Sequence, residues 1–154
     1  MNIIYLSESN IPSKTANSFH VMSMVEGFAK NGNRVTLIAP DYNKYNNNYE
    51  EICEYYGVRK KFKIKFIPIA KRIRGFFFIL NVIRYLSNKD CDLIVSRSIV
   101  PSTILGLFNY KVILELQAPP MGVKQNLFLF LITKIKALLS LIVITNSLKK
   151  IICK

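Results

Sequence analysis

The residues with the greatest potential for chemistry are polar side chains that follow the predicted strands of this 154-residue chain. In an open parallel sheet the carboxyl ends of the strands meet at one edge, and ligands bind in the crevice there. The sequence therefore predicts a polar crevice, although this pattern leaves its chemistry open. The candidate residues follow five strands: Ser7-Glu8, Asp41, Arg97-Ser98, Glu115-Leu116-Gln117 and Asn146-Ser147.

The only histidine of the chain, His20, falls near the start of the first predicted helix. Two interpretations of this residue are open. It can pack beneath the preceding loop and be satisfied by backbone groups, or it can face the crevice as a hydrogen-bond donor or general base.

Several common chemistries lack their sequence signatures. The loop after the first strand contains no glycine, which argues against the G-x-G-x-x-G fingerprint of dinucleotide binding, and the chain has neither a P-loop nor a G-x-S-x-G elbow. The nine carboxylates are spread along the sequence, and Cys53, Cys91 and Cys153 are too far apart for a zinc motif. We therefore expect no metal site.

The net charge of +13, from 22 basic and 9 acidic residues, predicts attraction to an anionic partner. Membrane lipids, nucleotide phosphates and nucleic acid remain open, and part of the excess can reflect genomic base composition. The odd cysteine count and a start without signal-peptide features favour a cytoplasmic location. Residues 127–144 are apolar, but Lys134 and Lys136 at their centre favour a buried helix and strand over a transmembrane segment.

Alternation of apolar strands with amphipathic helices predicts an α/β fold in one domain, residues 1–154. We expect a Rossmann-like, doubly wound, mostly parallel sheet of about six strands with helices on both faces. Residues 62–67 alternate strictly, which predicts a half-exposed strand with its lysines outward, near a sheet edge. The predicted strands span residues 2–6, 34–39, 62–67, 92–96, 111–116 and 140–145, and the predicted helices span 17–31, 71–88, 100–108, 123–138 and a segment from 146. Residues 41–56 are predicted to form an exposed connection with one helical turn at 49–56.

The helical periodicity also predicts which side chains are buried. In the first helix the core face should comprise Phe19, Met22, Val25, Phe28 and Ala29, with Asn17 or Ser18 as the N-cap. In the helix of residues 71–88 the predicted apolar stripe comprises Ile73, Phe76, Phe77, Leu80 and Ile83.

Six segments in order resemble the N-terminal lobe of retaining GT-B glycosyltransferases of family 4. Residues 2–6 and 12–21 resemble its first strand, its small-residue loop and its histidine-bearing helix, and residues 28–38 resemble its A-K-x-G-x-x-V-x-x-I pattern. Residues 92–98 and 112–119 resemble two later signatures, the second of which is E-L-H-x-P in the family, and residues 142–149 resemble the strand that closes the lobe.

This resemblance implies transfer of a sugar from a nucleotide-sugar donor to an acceptor in surface polysaccharide or glycolipid assembly, without an essential metal or other cofactor. The acceptor, a sugar or a lipid-linked molecule, would be held by this lobe. His20, Glu115 and Gln117 would be the catalytic polar contacts, and the substrate-binding residues would be Ala16, Asn17, Ser18, Arg97 and Ser98.

The chain departs from the family pattern in three respects. Gln117 stands where the family usually has histidine, and glutamine cannot hold a proton at neutral pH. Residues 15–18, Thr-Ala-Asn-Ser, replace a glycine-rich loop. The second, donor-binding lobe with its Glu-x7-Glu pair is absent from the sequence, so we expect the chain to be inactive without a second lobe. Half of a split enzyme whose second lobe is encoded separately, a truncated gene product and a fragment all remain open.

Two other functions remain open. The chain can be a non-catalytic binding or regulatory module that docks to a partner transferase or, through Lys71, Arg72, Arg74 and Arg84, to an anionic membrane surface. It would then be cytoplasmic and peripheral on the inner face of the membrane. A nucleic-acid-binding α/β domain is a third possibility that follows from charge alone, and it leaves the strand-end motifs unexplained.

Overall fold

A computed structural model of the protein describes residues 1–42, 48–69 and 74–143, and for residues 74–76 the backbone alone. The predicted features at Lys71, Arg72, Ile73 and Asn146-Ser147 lie outside these ranges. The chain divides into two units, Met1–Cys91 and Asp92–Lys154. The elements in chain order are β1 (Asn2–Leu6), α1 (Ala16–Lys30), β2 (Arg34–Asp41), α2 (Tyr49–Tyr55), β3 (Lys63–Pro68), α3 (Arg74–Leu86), β4 (Leu93–Ser96), α4 (Ile99–Leu107), β5 (Val112–Leu116), α5 (Gly122–Lys134) and β6 (Leu138–Val143).

These elements confirm the predicted fold class. The fold is α/β and Rossmann-like, with six parallel strands that alternate with helices. The first unit contributes strands in the order β3-β2-β1, and the second contributes β4-β5-β6. Parallel pairing requires a crossover between successive strands, and the helices provide it.

In the first unit β3 pairs with β2 and has the alternating exposure that its sequence predicts. The side chains of Lys63 and Lys65 are exposed, whereas Ile64 and Phe66 are half-buried. The prediction of a half-exposed strand with its lysines outward is therefore confirmed.

The buried face of α1 differs from the predicted one. Val21, Met22, Val25 and Ala29 are buried, but Phe19 is 42% exposed. The ring of Phe19 instead packs edge-on against Tyr56, with its centroid 4.8 Å away. The prediction for Phe19 was wrong because an aromatic side chain at a helix start can be covered by a neighbouring element instead of by the sheet.

The buried face of α3 also differs from the predicted one. Its buried residues are Phe78, Ile79, Val82 and Leu86, whereas Phe77 and Leu80 of the predicted stripe are each 43% exposed. Residues 76–80, Phe-Phe-Phe-Ile-Leu, are apolar on every side of the helix. Periodicity therefore could not determine which side packs on the sheet.

The core of the second unit is smaller. Ile99, Leu114, Leu116, Leu129 and Ile132 form a buried cluster that joins α4, β5 and α5. A Cβ atom at Gly106 of α4 would lie 3.4 Å from Cγ2 of Ile135, so α4 packs closely against the segment after α5 at this position.

The prediction that residues 127–144 are buried was largely wrong. Leu129 and Ile132 are buried, but many apolar side chains of α5 and β6 are exposed. A helix that packs on one side only leaves its other apolar residues uncovered. Among the described residues, none of the helices combines the length and the hydropathy needed to cross a bilayer. The exposed members of this region include Leu127, Phe130, Leu131, Leu139 and Ile142.

Candidate functional site

The loop between β1 and α1 is held by a chain of hydroxyl groups. Ser7 and Ser9 are buried, and the Ser7 hydroxyl donates to Oγ of Ser9 over 2.8 Å. The side-chain amide of Asn17 donates to the same Ser9 oxygen over 2.6 Å. Asn17, a predicted substrate-binding residue, is thus positioned by a serine that the sequence prediction did not include.

The N-cap of α1 is Thr15, so the prediction of Asn17 or Ser18 as the cap was wrong. The Thr15 hydroxyl accepts the backbone N–H of Ser18 over 3.3 Å. Ser18 is buried, and its hydroxyl donates to the carbonyl oxygens of Ser13 and Thr15 over 2.7 and 2.8 Å. The Ser18 side chain therefore fixes the path of the loop between β1 and α1.

Ala16 and His20 lie on the first turns of α1. Ala16 is the first helical residue and is exposed, whereas His20 is half-buried. The structure thus brings together the four candidates of the first unit, Ala16, Asn17, Ser18 and His20, at one helix end that follows the carboxyl end of β1.

The four candidates of the second unit lie at the carboxyl ends of β4 and β5: Arg97 and Ser98 follow β4, Glu115 is the last but one residue of β5, and Gln117 follows that strand. The pairing of Ser96 with Leu114 sets Arg97 beside Glu115. Nε of Arg97 lies 3.8 Å from Oε1 of Glu115, and their side chains are only 6% and 5% exposed. The side-chain amide of the exposed Gln117 donates to Oε1 of Glu115 over 3.1 Å.

This arrangement explains how a carboxylate is accommodated in a buried position. Burial of an ionised group is costly unless it is paired and hydrogen-bonded. The Arg97 guanidinium and the Gln117 amide supply positive charge and a donor to Glu115. The carboxylate is thereby held in one orientation at the end of β5, where it can accept a hydrogen bond from a ligand hydroxyl.

Ser98 connects this group to α4. It is the N-cap residue, and its carbonyl oxygen accepts the Ser102 hydroxyl over 2.7 Å. Its backbone N–H donates to Oγ of Ser96 over 3.3 Å. Ser96 and Ser102 were not predicted as contributors, although both are small polar residues close to a strand end.

Within residues 1–42, 48–69 and 74–143, no three His, Cys, Asp or Glu side chains lie close enough together to hold a metal ion. No protein-family model, curated protein or solved structure matches this chain.

Proposed function

We propose that the chain is the acceptor-side lobe of a GT-B glycosyltransferase of family 4. It would take part in the transfer of a sugar from a nucleotide-sugar to an acceptor in surface polysaccharide or glycolipid assembly. The observation that carries this proposal is the buried Glu115 carboxylate, held by Arg97 and Gln117 at the carboxyl ends of neighbouring strands. Sugar hydroxyls are hydrogen-bond donors, and an oriented carboxylate is a suitable acceptor for them.

The proposed roles follow from the chemistry of each group. Glu115 binds and orients an acceptor hydroxyl, Arg97 lies beside its carboxylate, and Gln117 fixes the orientation of the carboxylate while reaching solvent. Ser98 of the second unit binds a further sugar hydroxyl. In the first unit, the resemblance gives His20 the role of a polar contact or general base and Asn17 that of a hydrogen-bonding group. The nucleotide-sugar would be bound mainly by a second lobe, and no metal takes part.

The test is acceptor binding by the chain itself, followed by transfer when a second lobe is supplied. Saturation-transfer NMR against a panel of sugar glycosides and lipid-linked sugar analogues should identify a ligand. The Gln117→Ala variant should weaken its binding by about tenfold, because loss of the amide frees Glu115 to rotate. The exposed Glu54→Gln variant, outside this group, is the matched control. Unchanged binding in Gln117→Ala, or no binding by any sugar, would contradict the proposal.

A second candidate function is docking to an anionic membrane, and the exposed face of α5 favours it. Val123, Leu127, Phe130 and Leu131 recur on one side of the helix and are between 41% and 86% exposed. Nζ of Lys134 lies 5.5 Å from the centre of the Phe130 ring. No carboxylate occurs after Glu115 in the sequence. An apolar stripe beside lysines suits the boundary between headgroups and acyl chains.

Vesicle co-sedimentation tests this second function. The chain should sediment with vesicles rich in phosphatidylglycerol and remain in solution with phosphatidylcholine. Phe130→Ser should reduce the bound fraction by about fivefold, because the ring supplies a large part of the buried apolar area. Phe108→Ser after α4 is the matched control, since Phe108 is 60% exposed and Phe130 is 59% exposed. Equal loss in both variants would show that no particular face docks.

A further inference from the structure

The first unit contains a recess at the opposite end of its strands from the candidate residues of α1. The register of β1, β2 and β3 pairs Asn2 with Arg34, Ile4 with Thr36, and Thr36 with Lys63. Paired residues of adjacent strands share a face, and so do residues two apart in one strand. Arg34, Thr36, Lys63 and Lys65 therefore lie on one face of the sheet, near the amino ends of the strands.

Tyr85 of α3 is one of the residues that line this recess. Nζ of Lys65 lies 5.9 Å from the centre of the Tyr85 ring, and Nζ of Lys89 lies 6.0 Å from it. Both ammonium groups are therefore within the distance at which cation–π attraction to the ring operates. The recess has a volume of about 780 Å³, which lies in the range typical of small-molecule sites.

The charge of the lining is strongly positive. Arg34, Lys61, Lys63 and Lys89 line the recess, against the single carboxylate of Asp90 among the lining residues. Lysine on an edge strand such as β3 has a protective role against sheet-to-sheet pairing. That role does not account for Arg34 on β2 or Lys89 after α3, which bring further cations to the same recess.

The segment that carries the lysines is anchored at both ends. Oε1 of Glu26 accepts the backbone N–H groups of Arg59 and Lys60 over 2.8 and 3.1 Å. The phenol oxygen of Tyr49 accepts the backbone N–H of Phe62 over 3.1 Å. Lys61 and Lys63 therefore extend from a fixed backbone, and binding a ligand there would not require ordering of the chain.

We propose that this basic recess, formed by Arg34, Lys61, Lys63, Tyr85 and Lys89, binds a diphosphate group. A diphosphate carries several negative charges on adjacent phosphates, and several lysine and arginine side chains are needed to neutralise it. The volume of the recess lies within the range of small-molecule sites, which favours a small ligand. The source can be inorganic pyrophosphate or a nucleoside diphosphate. The recess is independent of the proposed sugar transfer, because none of its residues is among those proposed to bind the acceptor.

Titration calorimetry with inorganic pyrophosphate at low ionic strength tests the proposal. The wild-type chain should bind one equivalent, and the double variant Lys61→Gln with Lys63→Gln should bind about tenfold more weakly. The matched control is Lys14→Gln with Lys111→Gln, which removes the same charge from exposed positions outside the recess. The double variant Lys61→Arg with Lys63→Arg should bind about as tightly as the wild type, because it keeps both positive charges. Equal weakening in the control would overturn the proposal, since net charge alone would then attract the ligand.

Further titrations distinguish the source of the diphosphate. Adenosine diphosphate that binds more tightly than pyrophosphate in a Tyr85-dependent manner identifies a nucleotide ligand, and equal affinity identifies the diphosphate alone. Both outcomes support the site. Inorganic phosphate that binds as tightly as pyrophosphate would contradict recognition of two adjacent phosphates. A single-stranded oligonucleotide is the last competitor. If it displaces bound pyrophosphate at a lower concentration than adenosine diphosphate does, the recess binds nucleic acid and the proposal of a small diphosphate ligand is overturned.

Discussion

The two units of this protein have the same order of parallel strands and helices but cover their apolar surfaces very differently. In the first unit β1 is buried along almost its whole length, and α1 buries a continuous face. In the second, β6 has no buried residue, and α5 buries only Leu129 and Ile132. A parallel strand is normally covered on both faces. The comparison therefore shows that a Rossmann-like half can leave a broad apolar surface uncovered.

Leucine-to-alanine substitutions should show the contrast most strongly. Leu37 of β2 has no exposed surface, so Leu37→Ala should lower the free energy of unfolding by about 3–4 kcal/mol through lost burial and a cavity. Leu127→Ala on the exposed face of α5 should change it by less than about 0.5 kcal/mol. Urea denaturation followed by circular dichroism measures both. A large loss in Leu127→Ala would mean that this face is covered in solution.

The buried ion pair of the second unit gives the next largest effect. Arg97→Met leaves the Glu115 carboxylate buried without its guanidinium, and we expect a loss of about 2–3 kcal/mol in the free energy of unfolding. Adding Glu115→Gln to that variant should recover part of the loss, because no charge then remains buried. Gln117→Ala should lose less than about 1 kcal/mol. If the double variant is less stable than the single one, the pair does not carry the energy assigned to it.

Glu26 of the first unit also has a stabilised carboxylate, but unlike Glu115 it forms its ion pair with an exposed lysine. A hydrogen bond from the Lys30 ammonium, followed by backbone N–H groups of Arg59 and Lys60, lowers the pKa of Glu26 from 4.5 to about 2. Since the folded-state pKa is depressed, this stabilisation is present above about pH 4.5 and is lost as the pH falls toward about 2. Lys30 is 57% exposed, which reduces the expected contribution to about 1–2 kcal/mol.

Urea denaturation at about pH 6 and about pH 2.5 measures this contribution. The Glu26→Gln variant should lose stability at the higher pH and differ little from the wild type at the lower one. Glu54→Gln is the control, because Glu54 is exposed and accepts none of these hydrogen bonds. An equal deficit of Glu26→Gln at both pH values would contradict the assignment to ionisation.

The smallest expected change in stability comes from replacing one helical glycine in each unit by alanine. A Cβ at Gly27 of α1 meets no atom within 4 Å, so Gly27→Ala should stabilise the protein by about 0.5–1 kcal/mol through reduced backbone entropy of the unfolded chain. At Gly106 of α4 the added methyl would touch Ile135 at 3.4 Å, and the gain should be smaller. Thermal unfolding distinguishes them, and a larger gain at Gly106 would show that α4 and Ile135 are further apart in solution.

The sequence predicted the succession of the strands and of the longer helices, because apolar runs and helical periodicity mark them. It predicted α2 only as one helical turn within an exposed connection. The limits of α1 and β2 differ from prediction by one or two residues. The orientation of the helices was less predictable. Phe19 and Phe77 are both apolar and correctly spaced for a core face, yet each lies outside it. Hydrophobic residues on several sides of a helix leave the choice of face to the neighbouring elements.

The residues of the candidate sites also divide into those that the sequence predicted and those that only the structure identified. Arg97, Glu115 and Gln117 were predicted from strand ends alone, and the structure adds the contacts that join them. Ser9 and Thr15, which position Asn17 and Ser18, were missed because their role depends on the path of a loop. The basic recess was missed for another reason: Lys63 and Lys65 were interpreted as edge protection of β3, and nothing in the sequence places Arg34 and Lys89 beside them.

By itself, then, the sequence determined the α/β class, the parallel strands and the polar residues at their carboxyl ends, since these depend on short-range periodicity and on the geometry common to parallel sheets. The tertiary structure alone decided which face of each helix is buried, which carboxylate meets an arginine, and which lysines gather around Tyr85. These depend on contacts between residues far apart in the chain. Such contacts are fixed by packing and register, which no local pattern encodes.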